Sequence, residues 1–283
     1  MTKSLYIAEK PSVAQEFAKA LKQNMQRRDG YLESDQSVVT WCVGHLVTMS
    51  YPEKYDPALK RWSLETLPFL PENFKYEVIP EVKKQFTIVS NLLHREDIET
   101  IYVCTDSGRE GEYIYRLVAQ MAGIKDKKQK RVWIDSQTEE EILRGIREAK
   151  DESEYDNLSA SAYLRAKEDY LMGINFSRVM SVKYGGLLNN AAGTRSYTAI
   201  AVGRVMTCVL GMVVIREREI RNFKETLFYR VVGNFTDAHV QGEWKAVEGS
   251  GYFASPLLYK ENGFREKKDA LALIDRVQGH SAI

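Results

Sequence analysis

The chain has 283 residues, 44% hydrophobic and 11% aromatic, and its 40 Lys and Arg against 39 Asp and Glu leave a net charge of +1. This is globular composition, enough for one large domain or two of medium size, and it excludes a disordered chain. A charge so balanced does not announce a nucleic-acid partner, so any such reading must rest on where the charges fall. No run of about 18 apolar residues occurs, and Met1-Thr2-Lys3-Ser4 leads directly into a strand. Neither a membrane span nor a signal peptide is expected, and the expected address is cytoplasmic. Cys42, Cys104 and Cys208 stand far apart without a CxxC pair, which fits core residues in a reducing compartment rather than a zinc site or disulfide framework.

The first part of the chain alternates strand and helix. Residues 4–8 read as a short apolar strand; Pro11 suits the first turn of a helix, in which Val13, Phe17 and Leu21 recur every fourth residue. Residues 31–43 read as a hairpin of β-branched and aromatic residues. A loop-rich stretch with Pro52, Pro57, Pro68, Pro71 and Pro80 follows, then a helix from about Glu81 with Val82, Phe86, Val89 and Leu93 on one face. A buried strand is expected at 101–105, a turn at 106–109 and a helix at 110–121. The pattern repeats as a strand at 131–134 and a helix at 138–150, where Thr138 and Glu141 have capping-box spacing. Strands separated by helices of this length imply a mainly parallel, Rossmann-like α/β sheet covered on both faces, with ligands at the carboxyl ends of the strands.

Beyond an acidic link at 151–156 the texture changes. Residues 157–184 and 199–220 read as two long helices joined by a Gly/Asn-rich loop at 185–198. Alternating strands at 227–235 and 240–247 and a helix at 266–277 follow, and a further strand is expected to begin at 279–283. The expected division is 1–153, 154–222 and 223–283. Between Asp169 and Glu217 there is no acidic residue, while Arg178, Lys183, Arg195, Arg204 and Arg216 fall inside the gap. A basic face is expected there.

Two of the strands run into carboxylates: 4–8 into Glu9, and 101–105 into Asp106, with Glu110 and Glu112 close behind. Carboxylates crowded into one cleft repel unless a cation neutralises them, and hard oxygen ligands with open positions suit Mg²⁺. The bland alternative is that acids in the first turn of a helix complement its dipole without any metal. The string Thr105-Asp106-Ser107-Gly108-Arg109-Glu110-Gly111-Glu112, with Ile7-Ala8-Glu9-Lys10-Pro11-Ser12, resembles the Toprim signature of type IA DNA topoisomerases, the topoisomerase III branch in particular. The resemblance continues at Val43-Gly44-His45-Leu46, Tyr55-Asp56-Pro57, Trp62-Ser63-Leu64, Arg165 to Asp169, Gly173-Ile174-Asn175, Val202-Gly203-Arg204-Val205 and Arg216 to Ile220. One departure is Gly108, which stands where the family places a second aspartate.

The resemblance implies a Toprim domain, a helical DNA-groove domain and the start of a β-rich arch domain. It implies single-strand cleavage by a tyrosine, strand passage and religation, with Mg²⁺ and no nucleotide, by a monomer acting on single-stranded DNA. Glu9 is expected to move a proton at the leaving 3′ oxygen and Lys10 to stabilise charge on the transition state. Glu9, Asp106, Glu110 and Glu112 are the expected metal ligands. Arg61, Trp62, Arg165, Asp169, Tyr170, Asn175, Arg178, Val202, Gly203, Arg204, Val205 and Met206 are expected along the DNA, although Arg165 and Asp169, four apart on a helix, also fit a plain ion pair. His45 reads as structural or as a hydrogen-bond partner. Among sixteen tyrosines none lies in a Tyr-Pro-Arg string; Tyr51 precedes Pro52 without the arginine, and Tyr197 lacks the motif as well. The expectation is therefore a portion short of its nucleophile and inactive alone. Two other readings are a Toprim nuclease or primase-like enzyme that acts through water, and a non-catalytic single-strand DNA binder.

Overall fold

A computed structural model describes residues 2–124, 126–193, 199–235 and 239–280. In chain order the elements are β1 (Lys3–Ala8), α1 (Pro11–Ala20), β2 (Gln26–Arg28), β3 (Tyr31–Glu33), β4 (Ser37–Trp41), β5 (Val47–Met49), β6 (Tyr76–Val78), α2 (Lys83–Leu93), β7 (Ile98–Cys104) and α3 (Arg109–Ala122). They continue as β8 (Lys128–Arg131), α4 (Glu139–Arg147), β9 (Lys150–Asp151), α5 (Asp156–Ala192), α6 (Arg204–Arg221), β10 (Val232–Phe235), β11 (Val240–Glu243), β12 (Leu258–Lys260), β13 (Gly263–Phe264) and α7 (Lys267–Val277). The chain divides into two compact units, 1–210 and 211–283.

The first unit is built on a sheet of order β2-β3-β4-β1-β7-β8-β9. Its centre is parallel, with β1 between β4 and β7 and β8 beside β7; both edges are antiparallel. A strand inside such a sheet is buried on both faces, which is why β1 reads as a continuous apolar run. Leu5 and Ile7 face one core with Val89 and Leu93 of α2 and Ile114, Leu117 and Val118 of α3. Tyr6 and Ala8 face the other, with Val13, Ala14 and Phe17 of α1 and Ile142 of α4. The chain leaves β1 through α1 towards β4, and leaves β7 through α3 towards β8 on the opposite side. Connections that part in this way open a crevice between the carboxyl ends of β1 and β7, where ligands bind in doubly wound sheets.

Several expected boundaries move. The strand expected at 131–134 is β8 at 128–131, its pairing set by alignment with Thr100 to Val103 of β7. Much of the stretch read as a Gly/Asn loop from 185 belongs to α5, which stops at Gly193 in the left-handed conformation (φ 65°). Cooperative helix propagation through Leu187, Leu188 and the alanines outweighs the low propensity of two glycines and two asparagines. The rest of that loop, 194–198, lies outside the described residues, as do Arg195 and Tyr197. Residues 199–203 are not helical, so α6 begins at Arg204 rather than 199. The acidic link is ordered: the Asp151 carboxylate accepts from the Ser153 amide at 3.1 Å, and Glu152 is buried.

The second unit has its own small core of Val231, Ala246, Leu258, Phe264, Ala270 and Leu273. Trp244 stacks on Phe264 at 5.1 Å, and Tyr229 pairs with Phe264 through the backbone.

Candidate active site at the ends of β1 and β7

The crevice brings Glu9 and Asp106 together. Glu9 follows the last residue of β1 and is largely buried, and its Oε2 accepts from the Asp106 amide at 3.3 Å. Lys10 Nζ stands 3.5 Å from Glu9 Oε1, with its own side chain more than half exposed. The Glu9 carbonyl accepts from Gly44 N and the Ala8 carbonyl from Cys42 N, which ties the β4 exit to the same strand end. Burial pushes the Cys42 thiol up to about 12, so it acts as a neutral core residue. A polar cleft of about 330 Å³ opens beside Asp106, lined also by Ser107, Asp135 and Gln137.

The turn carrying Asp106 is held from beneath. Thr105 Oγ1 donates to the Gly111 carbonyl at 2.7 Å, and Ser107 Oγ both donates to Ile134 O and accepts from Ile134 N. The fully buried Arg131 guanidinium donates to the carbonyls of Val103 (3.1 Å), Thr105 (2.8 Å) and Asp106 (2.7 Å), and through Nε to Glu112 (3.1 Å). Arg131 also lies over the Trp133 ring at 5.5 Å. It was not among the expected site residues. Its signal in the sequence is slight: it closes the basic strand Lys128–Arg131, and only its burial, which needs partners, sets it apart from the neighbouring lysines.

Glu112 corrects an expectation. It was grouped with the cation ligands, yet it is fully buried, one oxygen accepting from Arg116 Nε at 2.7 Å and the other from Arg131. Two residues along a helix from Glu110 is about 200° of rotation, which turns the side chain to the opposite face. Glu110 remains on the cleft side and exposed, and its Oε1 lies 2.6 Å from His45 Nε2. His45 is thus a hydrogen-bond partner within the domain, packed edge-on against Tyr113.

The donor set suits Mg²⁺ in kind. Glu9, Asp106 and Glu110 are hard oxygen ligands at an open crevice, and Mg²⁺ takes one or two carboxylates and keeps water or phosphate on its remaining positions. Among the described residues no group of three or more metal-capable side chains is gathered at one point.

The residues expected along the DNA fall into two groups. Arg178 is buried, donates to the Leu59 carbonyl at 2.9 Å and lies over the Trp62 ring at 5.4 Å; its Nε has no partner, and burial lowers its pKa from the ordinary arginine value. With Lys60, Trp62, Tyr170 and Ile200 it borders a cleft of about 580 Å³. Arg61 and Trp62 are exposed. Asn175, by contrast, spends its amide on Phe69 N, Phe69 O and Leu171 O, and the Tyr170 hydroxyl donates to Ser50 O while its ring packs against Phe69 and Phe74. Both hold the proline-containing stretch from Ser50 to Phe74 onto α5. Asp169 pairs with Arg204 at 2.8 Å rather than with Arg165. Val202 O and N meet Ser177 Oγ, which lays 199–203 along α5, and Val205 and Met206 are exposed on α6.

A doubly wound sheet with carboxylates at its switch point and a long helix packed on it defines the class, an α/β domain with an appended helical part. The Toprim domain model matches residues 4–136, and a DNA topoisomerase model matches residues 153–283. The chain is 40% identical to DNA topoisomerase 3 of Bacillus thuringiensis (strain Al Hakam) over 250 residues, 88% of this chain and 32% of that protein. It is 41% identical to DNA topoisomerase 3 of Staphylococcus aureus (strain MRSA252) over 227 residues, 80% of this chain and 30% of that protein. The chain is thus similar to DNA topoisomerases in both of its parts, and it spans about a third of the length of the curated relatives it matches.

Proposed function

We propose that this chain forms the metal-binding and groove-forming side of a type IA topoisomerase, acting on single-stranded DNA as a monomer in the cytoplasm without a nucleotide. The observation that carries the reading is the meeting of Glu9, Lys10 and Asp106 at the switch point of the sheet. The topoisomerase relatives add support through their name. In the reaction proposed, a tyrosine oxygen forms a bond to phosphorus while the bond from phosphorus to the 3′ oxygen breaks, and the phosphotyrosine keeps the bond energy for religation. No tyrosine of these 283 residues lies in a Tyr-Pro-Arg string.

Glu9, largely buried and beside Lys10, would give a proton to the leaving 3′ oxygen and take it back on religation. Lys10, exposed at the mouth, neutralises charge on the phosphoryl oxygens; loss of one such contact costs on the order of 3 kcal/mol in the transition state. Glu9, Asp106 and Glu110 would hold Mg²⁺, which when bound would supply positive charge beside the phosphate. The DNA groove runs by Arg61, Trp62, Arg165, Arg178 and Arg204, with Tyr170, Asn175, Asp169 and residues 202–206 shaping its wall. Functionally the chain divides into a metal-binding part over 1–153, a groove part over 154–222 and a β-rich part over 223–283. No described helix is long and apolar enough to cross a membrane.

Incubating the 283-residue chain with a labelled oligothymidylate and Mg²⁺ tests the reading. Salt-dependent binding without hydrolysis is expected, since phosphate contacts release counterions. Multiple-turnover nicking would overturn it in favour of a Toprim nuclease that uses Glu9 and Asp106 on water.

A further inference from the structure

His45 takes no part in the proton transfer, yet its backbone is fastened to the strand end that carries Glu9. Gly44 N donates to the Glu9 carbonyl at 3.2 Å, and Gly44, left-handed at φ 75°, makes the turn that brings His45 against the first turn of α3. His45 Nε2 lies 2.6 Å from Glu110 Oε1, although the two residues are 65 positions apart in sequence. A carboxylate only accepts, so Nε2 carries the proton and donates. The imidazole also packs edge-on against Tyr113, with 6.0 Å between ring centroids, and Tyr113 is buried against Tyr163 of α5. A buried tyrosine at its back and a backbone bond at its root hold the imidazole in place.

Glu110 has no such support of its own. Its side chain is 73% exposed, and among the described residues its Oε2 has no hydrogen-bond or ion-pair partner. Arg109 and Arg165 line the same cleft of about 560 Å³ without forming an ion pair with it. Gly108 offers no side chain beside it, and a Cβ there would meet nothing within 4 Å. A glutamate left to solvent in this way spreads over several rotamers, and fixing it costs that freedom. A histidine–glutamate contact at a surface is ordinary and adds little to stability. This one joins two of the three acids of the crevice, because the histidine that holds Glu110 hangs from the strand end of Glu9.

We propose that His45 is a positioning residue for a divalent cation at this crevice: it fixes Glu110 through Oε1 and leaves Oε2 to the cation. This rests on the reading of Glu9, Asp106 and Glu110 as cation ligands and adds the residue that orients the exposed one. His45 acts through Glu110 and does not itself ligate through Nε2, which is spent on the carboxylate. Outer partners of this kind orient ligating carboxylates, and their loss lowers metal affinity by about 10–100-fold.

Mn²⁺ titration of the full 283-residue chain, with free Mn²⁺ followed by electron paramagnetic resonance, tests the role. His45→Phe, which keeps a ring against Tyr113 and removes the donor, is expected to weaken Mn²⁺ binding by about 10-fold or more. His45→Gln, which can still donate from its amide, is expected to recover most of the affinity. Glu110→Gln is expected to weaken binding by itself, and adding His45→Phe to it is expected to cause no further loss, because the residue through which His45 acts is already altered. The His45 side chain is more than a third exposed, so its variants should keep the melting temperature of the unaltered chain in EDTA. If His45→Phe melts early, His45→Leu replaces it in the same cycle. If the unaltered chain binds no Mn²⁺, the metal reading itself falls. If it binds, three results each overturn the positioning role alone: wild-type affinity in His45→Phe or in Glu110→Gln, no recovery in His45→Gln, or a further loss from His45→Phe in the Glu110→Gln background.

Discussion

Arg131 and Gly111 shape the turn that carries Asp106 from behind, Arg131 by hydrogen bonds and Gly111 by close approach. Arg131 binds the carbonyls of Val103, Thr105 and Asp106 and one oxygen of a buried glutamate, so its planar fork fixes where β7 ends. Arg131→Met removes the cation and leaves Glu112 with Arg116 alone; breaking a buried pair in this way costs about 3–5 kcal/mol, measurable by urea denaturation. Gly111 has a different reason. A Cβ there would stand 2.1 Å from the Asp106 carbonyl oxygen and 2.8 Å from its amide nitrogen, both backbone atoms that cannot swing aside. Gly111→Ala is expected to cost about 1–3 kcal/mol by overpacking and to weaken Mn²⁺ binding, read by thermal melting and metal titration of the same preparation. Little of this was legible beforehand. Glu9 and Asp106 could be found because each follows an apolar strand; Arg131 could not, because its meaning depends on which strand lies beside which.

At the scale of elements, the joint between β9, α3 and α5 is a buried charge cluster. Arg116 of α3 donates to Glu112 and to the Glu152 carbonyl, and pairs with the carboxylates of Glu152 (3.2 Å) and Asp156 (2.9 Å). Burial and the neighbouring charge of Glu112 raise the Glu152 carboxyl from 4.5 to about 8, against the opposing pull of Arg116 and Arg131. The folded chain therefore binds more protons than the unfolded chain between about pH 4.5 and 8. Stability from this group is fully present below that window and is lost as pH rises through it. Glu152→Gln, which keeps the shape and discards the charge, is expected to flatten the fall in unfolding free energy between pH 5 and 8.5, measured by urea titration. The sequence marked 151–156 as a loose link because four of its residues are acidic, and composition could not show that one of them is enclosed. The same blindness ended α5 too early, since glycines and asparagines argue for a loop only until packing and helix cooperativity are set against them.

Across the whole molecule, the sequence by itself determined the kinds of elements, the doubly wound sheet and the two strand-end acids. Those signals are local: apolar runs of strand length, four-residue periodicity, and a charged residue where a buried strand must stop. It also carried the resemblance to DNA topoisomerases, because the motifs keep their order and spacing along the chain. Tertiary structure decided the rest, namely which carboxylates face the crevice and which are sealed behind it. Glu110 and Glu112 lie two residues apart and look equivalent as letters, yet the turn of α3 gives one to solvent and His45 and the other to Arg116 and Arg131. Pairing also decided which arginines are left bare. Partners that come from distant points of the chain, as Asp169 does for Arg204 and Phe69 for Asn175, meet only after packing has fixed α5 against its neighbours. Strand and helix are set by residues near in sequence, whereas the availability of a charge is set by residues near in space.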